Sequence, residues 1–177
     1  MTIPTEVRPI VRERANFVCE YCGVRESDVG GELTIDHFDP RSHGGMDHPD
    51  NLQYCCQRCN EYKAAYFPSH AADRHLWNPR RELFSVHFLV LEDGLLHPRT
   101  SVGVFTIQRL RLDRPQLVAY RRRRREWAER ERLLAYYRDL LNTLERLYQQ
   151  QQVLLNEQRA LLAEQRALIA SLLDQEG

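Results

Sequence analysis

The sequence predicts an α+β fold: a small metal-stabilised domain, then a β-hairpin and helix extension, then a long C-terminal α-helix. Three observations carry that expectation. Two Cys-x-x-Cys pairs, Cys19/Cys22 and Cys56/Cys59, bracket 33 residues rich in turn formers, His and Asp. Two short stretches alternate apolar and polar residues at strand spacing. From Gln116 to Glu176 there is neither Pro nor Gly, and Leu recurs every seven residues. The expected segments are 1–68, 69–114 and 115–177.

Composition narrows the class. The chain has 177 residues, enough for one domain with an appendage. No apolar run reaches the length of a membrane span, and no signal-peptide pattern opens the sequence, so a cytoplasmic protein without membrane partners is expected. Cysteines in a reducing compartment serve as metal ligands more readily than as disulfides. The net charge of zero hides a pattern: −4 over residues 1–60, +7 over 61–125 and −3 over 126–177. The basic middle suits a polyanion surface, although a solvated basic face has the same composition. Arg supplies 24 of the 25 cationic residues, which leaves Lys63 as the single Lys.

The elements follow in chain order. A helix is expected from Pro4 to about residue 16. Leu33 and Ile35 alternate with polar neighbours in "GELTIDHFDP", a short strand ended by Pro40. "RSHGGMDHPDN" reads as a loop, and "QRCNEYKAAYF" as a short helix that stops at Pro68. "LFSVHFLVLEDGLLH", residues 83–97, reads as a hairpin with Val86, Phe88 and Val90 on one face and the turn at Glu-Asp-Gly. "VGVFTIQRLRLD" reads as a helix. Asp113, two residues before Pro115, reads as the N-cap of the next one.

That last helix carries columns at a period of seven. Leu133, Leu140, Leu147, Leu154, Leu161 and Leu168 form one. Leu134, Leu141, Tyr148, Leu155, Leu162 and Ile169 form a second, and Tyr137, Leu144, Gln151, Gln158, Gln165 and Leu172 a third. Six such heptads signal a coiled coil, on a helix roughly 90 Å long at about 1.5 Å per residue. A homo-oligomer through residues 116–177 is the expected use. Packing of the helix along its own domain is the alternative, and the strand orientation stays open. Arg121 to Arg125 spread around the helix and read either as a solvated collar or as a nucleic-acid grip.

Two Cys-x-x-Cys knuckles place four thiolates tetrahedrally around Zn²⁺, with Cys19, Cys22, Cys56 and Cys59 as the ligands. A turn-rich segment with little core takes its folding energy from that closure. Cys55 is the spare, read as an unliganded small hydrophobe.

Inside the zinc frame sits "IDHFDPRSHGG", residues 35–45. The pattern C-x-x-C, IDHFDPRSHGG, DNL, C-x-x-CN-x-x-K over residues 19–63 resembles an HNH endonuclease with a four-Cys zinc site. Residues 78–115 resemble, more loosely, an extension found in bacterial members of that family. The resemblance implies a ββα-metal finger gripping one divalent cation. On it, Asp36 stands where the first metal ligand would be, His37 at the general base, and Asn51 at the residue that braces the ribbon loop. Asn60 stands at the last position, where the family's name-giving letter would be His. An Asn there offers an amide oxygen, which suits Mg²⁺ or Mn²⁺.

The chemistry is coherent without the family. Neighbours on a strand point to opposite faces, so Asp36 and His37 need not compete for one ion. A His, with an ordinary pKa of about 6.5, is neutral at pH 7 and accepts a proton from water. A cation on one carboxylate and one amide keeps open positions for a phosphate oxygen. The expected reaction is hydrolysis of a DNA phosphodiester, with RNA an open substrate. Arg41 and Lys63 are the expected phosphate contacts. His43 reads as a solvated loop residue, Asp39 as a turn residue, and Gly44-Gly45 as a turn needing unusual backbone geometry. The alternative is a non-catalytic zinc-dependent module that binds nucleic acid and is multimerised by the C-terminal helix.

Overall fold

A computed structural model describes residues 3–70 and 72–175, with side chains as far as Ser171. Met1, Thr2, Ala71, Glu176 and Gly177 lie outside the described residues, as does the side chain of Leu172, the last member of the third column. The chain forms two compact units, Met1–Arg124 and Arg125–Gly177.

The first unit opens with α1 (Val7–Arg14), whose first outside bond runs from Val7 N–H to the Pro4 carbonyl. It stops at Arg14, five residues before Cys19, because Asn16 and Phe17 adopt positive φ. One turn of helix, α2 (Glu26–Val29), ends at Gly30. Arg12 of α1 donates to both oxygens of Glu26 at 2.6 and 2.7 Å, and Tyr54 donates to the same carboxylate. That network ties both helices to the sheet.

The sheet is an antiparallel ribbon, β1 (Thr34–His37) against β2 (Leu52–Cys55), with Asp36 opposite Gln53 and His37 opposite Leu52. The loop between the strands holds two 3₁₀ turns, Arg41–His43 and Pro49–Asn51. Next comes α3 (Gln57–Lys63), so strand, strand and helix follow in order. This helix ends five residues before Pro68. Ala64 has φ 51° and ψ −151°, a conformation that costs a non-Gly residue energy, and Arg109 takes the Lys63 carbonyl.

The expected hairpin is half correct. Residues Phe84–His87 form a helical turn, α4, and only Phe88–Val90 (β3) pairs with Leu96–Pro98 (β4). Val86 therefore does not share a strand face with Phe88 and Val90. Phe88 is buried while Val90 is exposed, because Phe84, Trp77 and His87 gather around Phe88. The turn is at Gly94, φ 87°, where a Cβ would lie 2.6 Å from the Val118 carbonyl. Thr100 caps α5 (Ser101–Leu110) by accepting from Gly103 N–H.

The last helix, α6 (Pro115–Gln175), begins one residue later than an Asp113 N-cap requires. Asp113 instead accepts from Leu96 N–H at 3.0 Å and from Arg121 at 2.8 Å, and the Arg114 carbonyl receives the first helical bonds. One core joins the zinc segment to the extension: Val11, Leu52, Tyr54, Trp77, Phe88, Leu110, Leu112 and Leu117 are all buried in it. Glu20 locks the same joint, bonded by Tyr54 N–H and by Arg80.

The described residues of the second unit all belong to α6. From Arg125 to Ser171 every described side chain is exposed. No described helix is long and apolar enough to cross a membrane.

Candidate active site and metal centre

The four knuckle cysteines converge. Cys19 and Cys22 sit on a tight turn closed by Gly23 N–H on the Cys19 carbonyl, and Cys56 and Cys59 sit at the start of α3. Their sulfurs all lie within 4.8 Å of one another, with Cys22 and Cys56 3.7 Å apart. A tetrahedral zinc about 2.3 Å from each sulfur sets sulfur separations near 3.8 Å. The four cysteines are thus positioned to hold a zinc ion. Hydrogen bonds from the other three hold the Cys56 thiol well below its ordinary range. Arg114 brings its guanidinium to 4.0 Å from Cys56 Sγ, where it would offset the negative charge of a zinc-bound four-thiolate set. Cys55 stands outside the cluster. It is fully buried on β2, its Sγ 3.6 Å from Thr34 Oγ1, and burial pushes its thiol up.

Beside this centre, the end of the ribbon, the middle of α3 and the residues just after it form a cleft of about 410 Å³ whose lining includes Asp36, His37, Arg41 and Asn60. Asp36 and His37 both line it, although strand neighbours ordinarily face apart.

Asn51 spans that loop. Its Oδ1 accepts from Asp39 N–H at 2.8 Å, and its Nδ2 donates to the carbonyls of Asp39 and Met46, each at 3.0 Å. The turn opposite it admits only glycine at Gly45, where a Cβ would fall 1.7 Å from the Asp39 carbonyl oxygen. Asp39 contributes its backbone to this brace. His43 stacks on Phe67 with centroids 4.7 Å apart, away from the ribbon.

His37 Nε2 lies 2.7 Å from Asp47 Oδ1. Arg41 Nε donates to the same oxygen at 2.9 Å, and Arg41 Nη2 pairs with Oδ2. Arg41, and after it His37, hold the Asp47 carboxyl below the usual carboxylate range. Sequence reasoning passed over Asp47, since a polar residue in a polar loop has no periodic signal. Arg41, expected on phosphate, is in the cleft with its guanidinium on Asp47.

Lys63, also expected on phosphate, is fully buried. Its Nζ donates to the His37 carbonyl at 2.6 Å and lies 2.8 Å from Asp36 Oδ2. One turn beyond Asn60, the side chain turns inward under the ribbon. Asp36 Oδ2 is buried against this ammonium and receives no well-directed hydrogen bond. A carboxylate oxygen and the Asn60 carboxamide make a hard donor set that fits Mg²⁺ or Mn²⁺.

The same ordered features mark a known family. Residues 19–65 match the HNH endonuclease family model. The match runs from the first Cys of the metal centre to just past α3, so it contains the ribbon, the brace and the cleft. It points to a nuclease-type or nucleic-acid-binding role for the HNH segment. None of the curated proteins and none of the solved structures matches the chain.

The run Arg121–Arg125 does not act as one patch. Arg121 is mostly buried and donates to the carbonyl of Leu112 and to Asp113. Arg124 lies over the Tyr120 ring and Arg125 pairs with Glu129.

Proposed function

We propose that the protein is a metal-dependent endonuclease that hydrolyses DNA phosphodiester bonds, working as a self-associated oligomer through α6. The observation that carries this reading is the single cleft, within the family-matched segment, that holds Asp36, His37 and Asn60 together. Asp36 and Asn60 are the proposed ligands of Mg²⁺ or Mn²⁺. When bound, the cation polarises the phosphate and steadies the charge on the departing 3′ oxygen. His37 is the proposed base. With Asp47 accepting from Nε2–H, the lone pair is left on Nδ1, which takes the proton of the attacking water. Arg41 keeps Asp47 ionised for that task, and Asn51 holds the loop that carries both. The four-Cys zinc site is structural: it fixes α3 against the ribbon.

The test is cleavage of supercoiled plasmid with Mg²⁺ or Mn²⁺. His37→Ala is expected to lose activity by about a hundredfold to ten-thousandfold, the usual contribution of a general base, while zinc content and far-UV spectrum stay unchanged. Wild-type cleavage by that variant would sink the mechanism.

One observation favours a non-catalytic nucleic-acid-binding module instead. The Lys63 ammonium already neutralises Asp36 at 2.8 Å. That reading expects gel-shift binding and no cleavage with any divalent metal.

A further inference from the structure

Within the heptads that hold Glu157 to Arg166, the charges that flank the apolar face of α6 are arranged for one mode of self-association, whereas farther up the helix the same flanks carry Glu129 on one side and Glu131, Arg138 and Glu145 on the other. At about 100° per residue, the third column lies at the middle of the face, with a Leu-rich column on each side. These two columns, Leu133 to Leu168 and Leu134 to Ile169, are 37–65% exposed. Beyond the first lie Glu157 and Glu164; beyond the second lie Arg159 and Arg166. All four belong to the consecutive heptads "EQRALLA" and "EQRALIA".

None of these four charges has an opposite charge three or four residues away. Glu157 has Val153, Leu154, Ala160 and Leu161 at those positions, and the other three meet only Ala, Leu, Ile and Asn. None forms an ion pair among the described residues, whereas Arg125 and Arg58 each pair within their own helix. The helix therefore gains nothing from them alone.

Two helices joined in parallel, or a parallel ring of three or four, set one flank of each against the opposite flank of its neighbour. Glu157 and Glu164 then face Arg159 and Arg166 of the next copy. An antiparallel pair sets like flank against like flank; where these two heptads overlap each other, Glu then meets Glu and Arg meets Arg. We infer that the partner of the α6 face is a second copy of this chain in parallel orientation, with register held by these two heptads. The N-terminal ends of the paired helices, where the preceding HNH segments are attached, then lie together. This inference rests on the self-association proposed above and is independent of catalysis.

The full-length zinc-loaded chain is examined by sedimentation equilibrium in low salt, beside Glu157→Arg/Glu164→Arg and a fourfold exchange that adds Arg159→Glu/Arg166→Glu. The wild type is expected to be oligomeric. The double variant faces Arg with Arg on both flanks and is expected to dissociate at about tenfold higher concentration or more, since several exposed pairs are lost together. The fourfold exchange restores the pairs in a parallel bundle and is expected to recover wild-type association. High salt, near 1 M, is expected to narrow the gap between the double variant and the others. A double variant as tight as wild type, or a fourfold exchange as weak as the double variant, overturns the parallel assignment. A wild type that is monomeric throughout overturns both this and self-association, and leaves plasmid cleavage to judge the nuclease reading by itself.

Discussion

The pair formed by Lys63 and Asp36 is where structure and proposed chemistry meet most directly. A fully buried ammonium stands 2.8 Å from a carboxylate that is also the proposed cation ligand. Removing one member of such a pair leaves the other charge uncompensated. Lys63→Met is expected to destabilise the zinc-loaded protein, in the absence of Mn²⁺, by about 3 kcal/mol. Millimolar Mn²⁺ is expected to recover part of that loss by mass action if Asp36 holds the ion; urea midpoints with and without Mn²⁺ measure it, and no recovery would remove Asp36 as ligand. A second residue-scale prediction concerns pH. Arg12, and then Tyr54, hold the Glu26 carboxyl below the usual carboxylate range, and burial helps to push the Tyr54 phenol up to about 12. A depressed carboxyl stabilises the fold above its unfolded value of about 4.3 and loses that contribution as pH falls through the folded value. Glu26→Gln is therefore expected to have a lower urea midpoint than wild type at pH 7, with the gap closing below about pH 4.

At the scale of elements, the informative places are where local preference loses. The apolar and aromatic residues after Lys63 favour more helix, yet α3 stops because Ala64 takes a positive φ. The stop releases the Lys63 carbonyl to Arg109 and the Ala64 carbonyl to Lys63 Nζ. Those bonds tie α3 to α5 and seat the buried Lys beneath the cleft. Ala64→Gly relieves the strain and is expected to stabilise the unit by up to about 1 kcal/mol, read as a shift in the thermal midpoint. The hairpin shows a similar override. Alternation of apolar residues over 84–90 suggests one strand, but packing of Phe84 and Trp77 against Phe88 winds the first half into a helical turn.

At the scale of the molecule, the first unit has one continuous core that the four-Cys centre closes at one end. Cys19, Cys56 and Cys59 are in that core beside Leu52 and Tyr54. Zinc binding by four thiolates supplies on the order of 10 kcal/mol to folding. Stripping the metal with a chelator at neutral pH is therefore expected to abolish cooperative unfolding of this unit and to expose it to protease, with one zinc per chain restoring both. Retention of a sharp unfolding transition without zinc would show that the apolar core suffices. The second unit has no such core, and its Leu columns are exposed.

The sequence by itself determined what depends on spacing and type. The Cys-x-x-Cys pairs marked the metal centre, because four thiolates at that separation have few other uses. The heptad columns marked α6, because periodicity over six repeats leaves only one secondary structure. Order and identity of residues marked Asp36, His37, Asn51 and Asn60 as candidates by family resemblance. Only the tertiary structure decided what those residues touch. Asp47 on His37, Lys63 under Asp36, and Arg114 beside Cys56 bring together positions 10, 27 and 58 residues apart. Such contacts are made by loops and by packing between elements, and neither leaves a period in the chain for a reader to find.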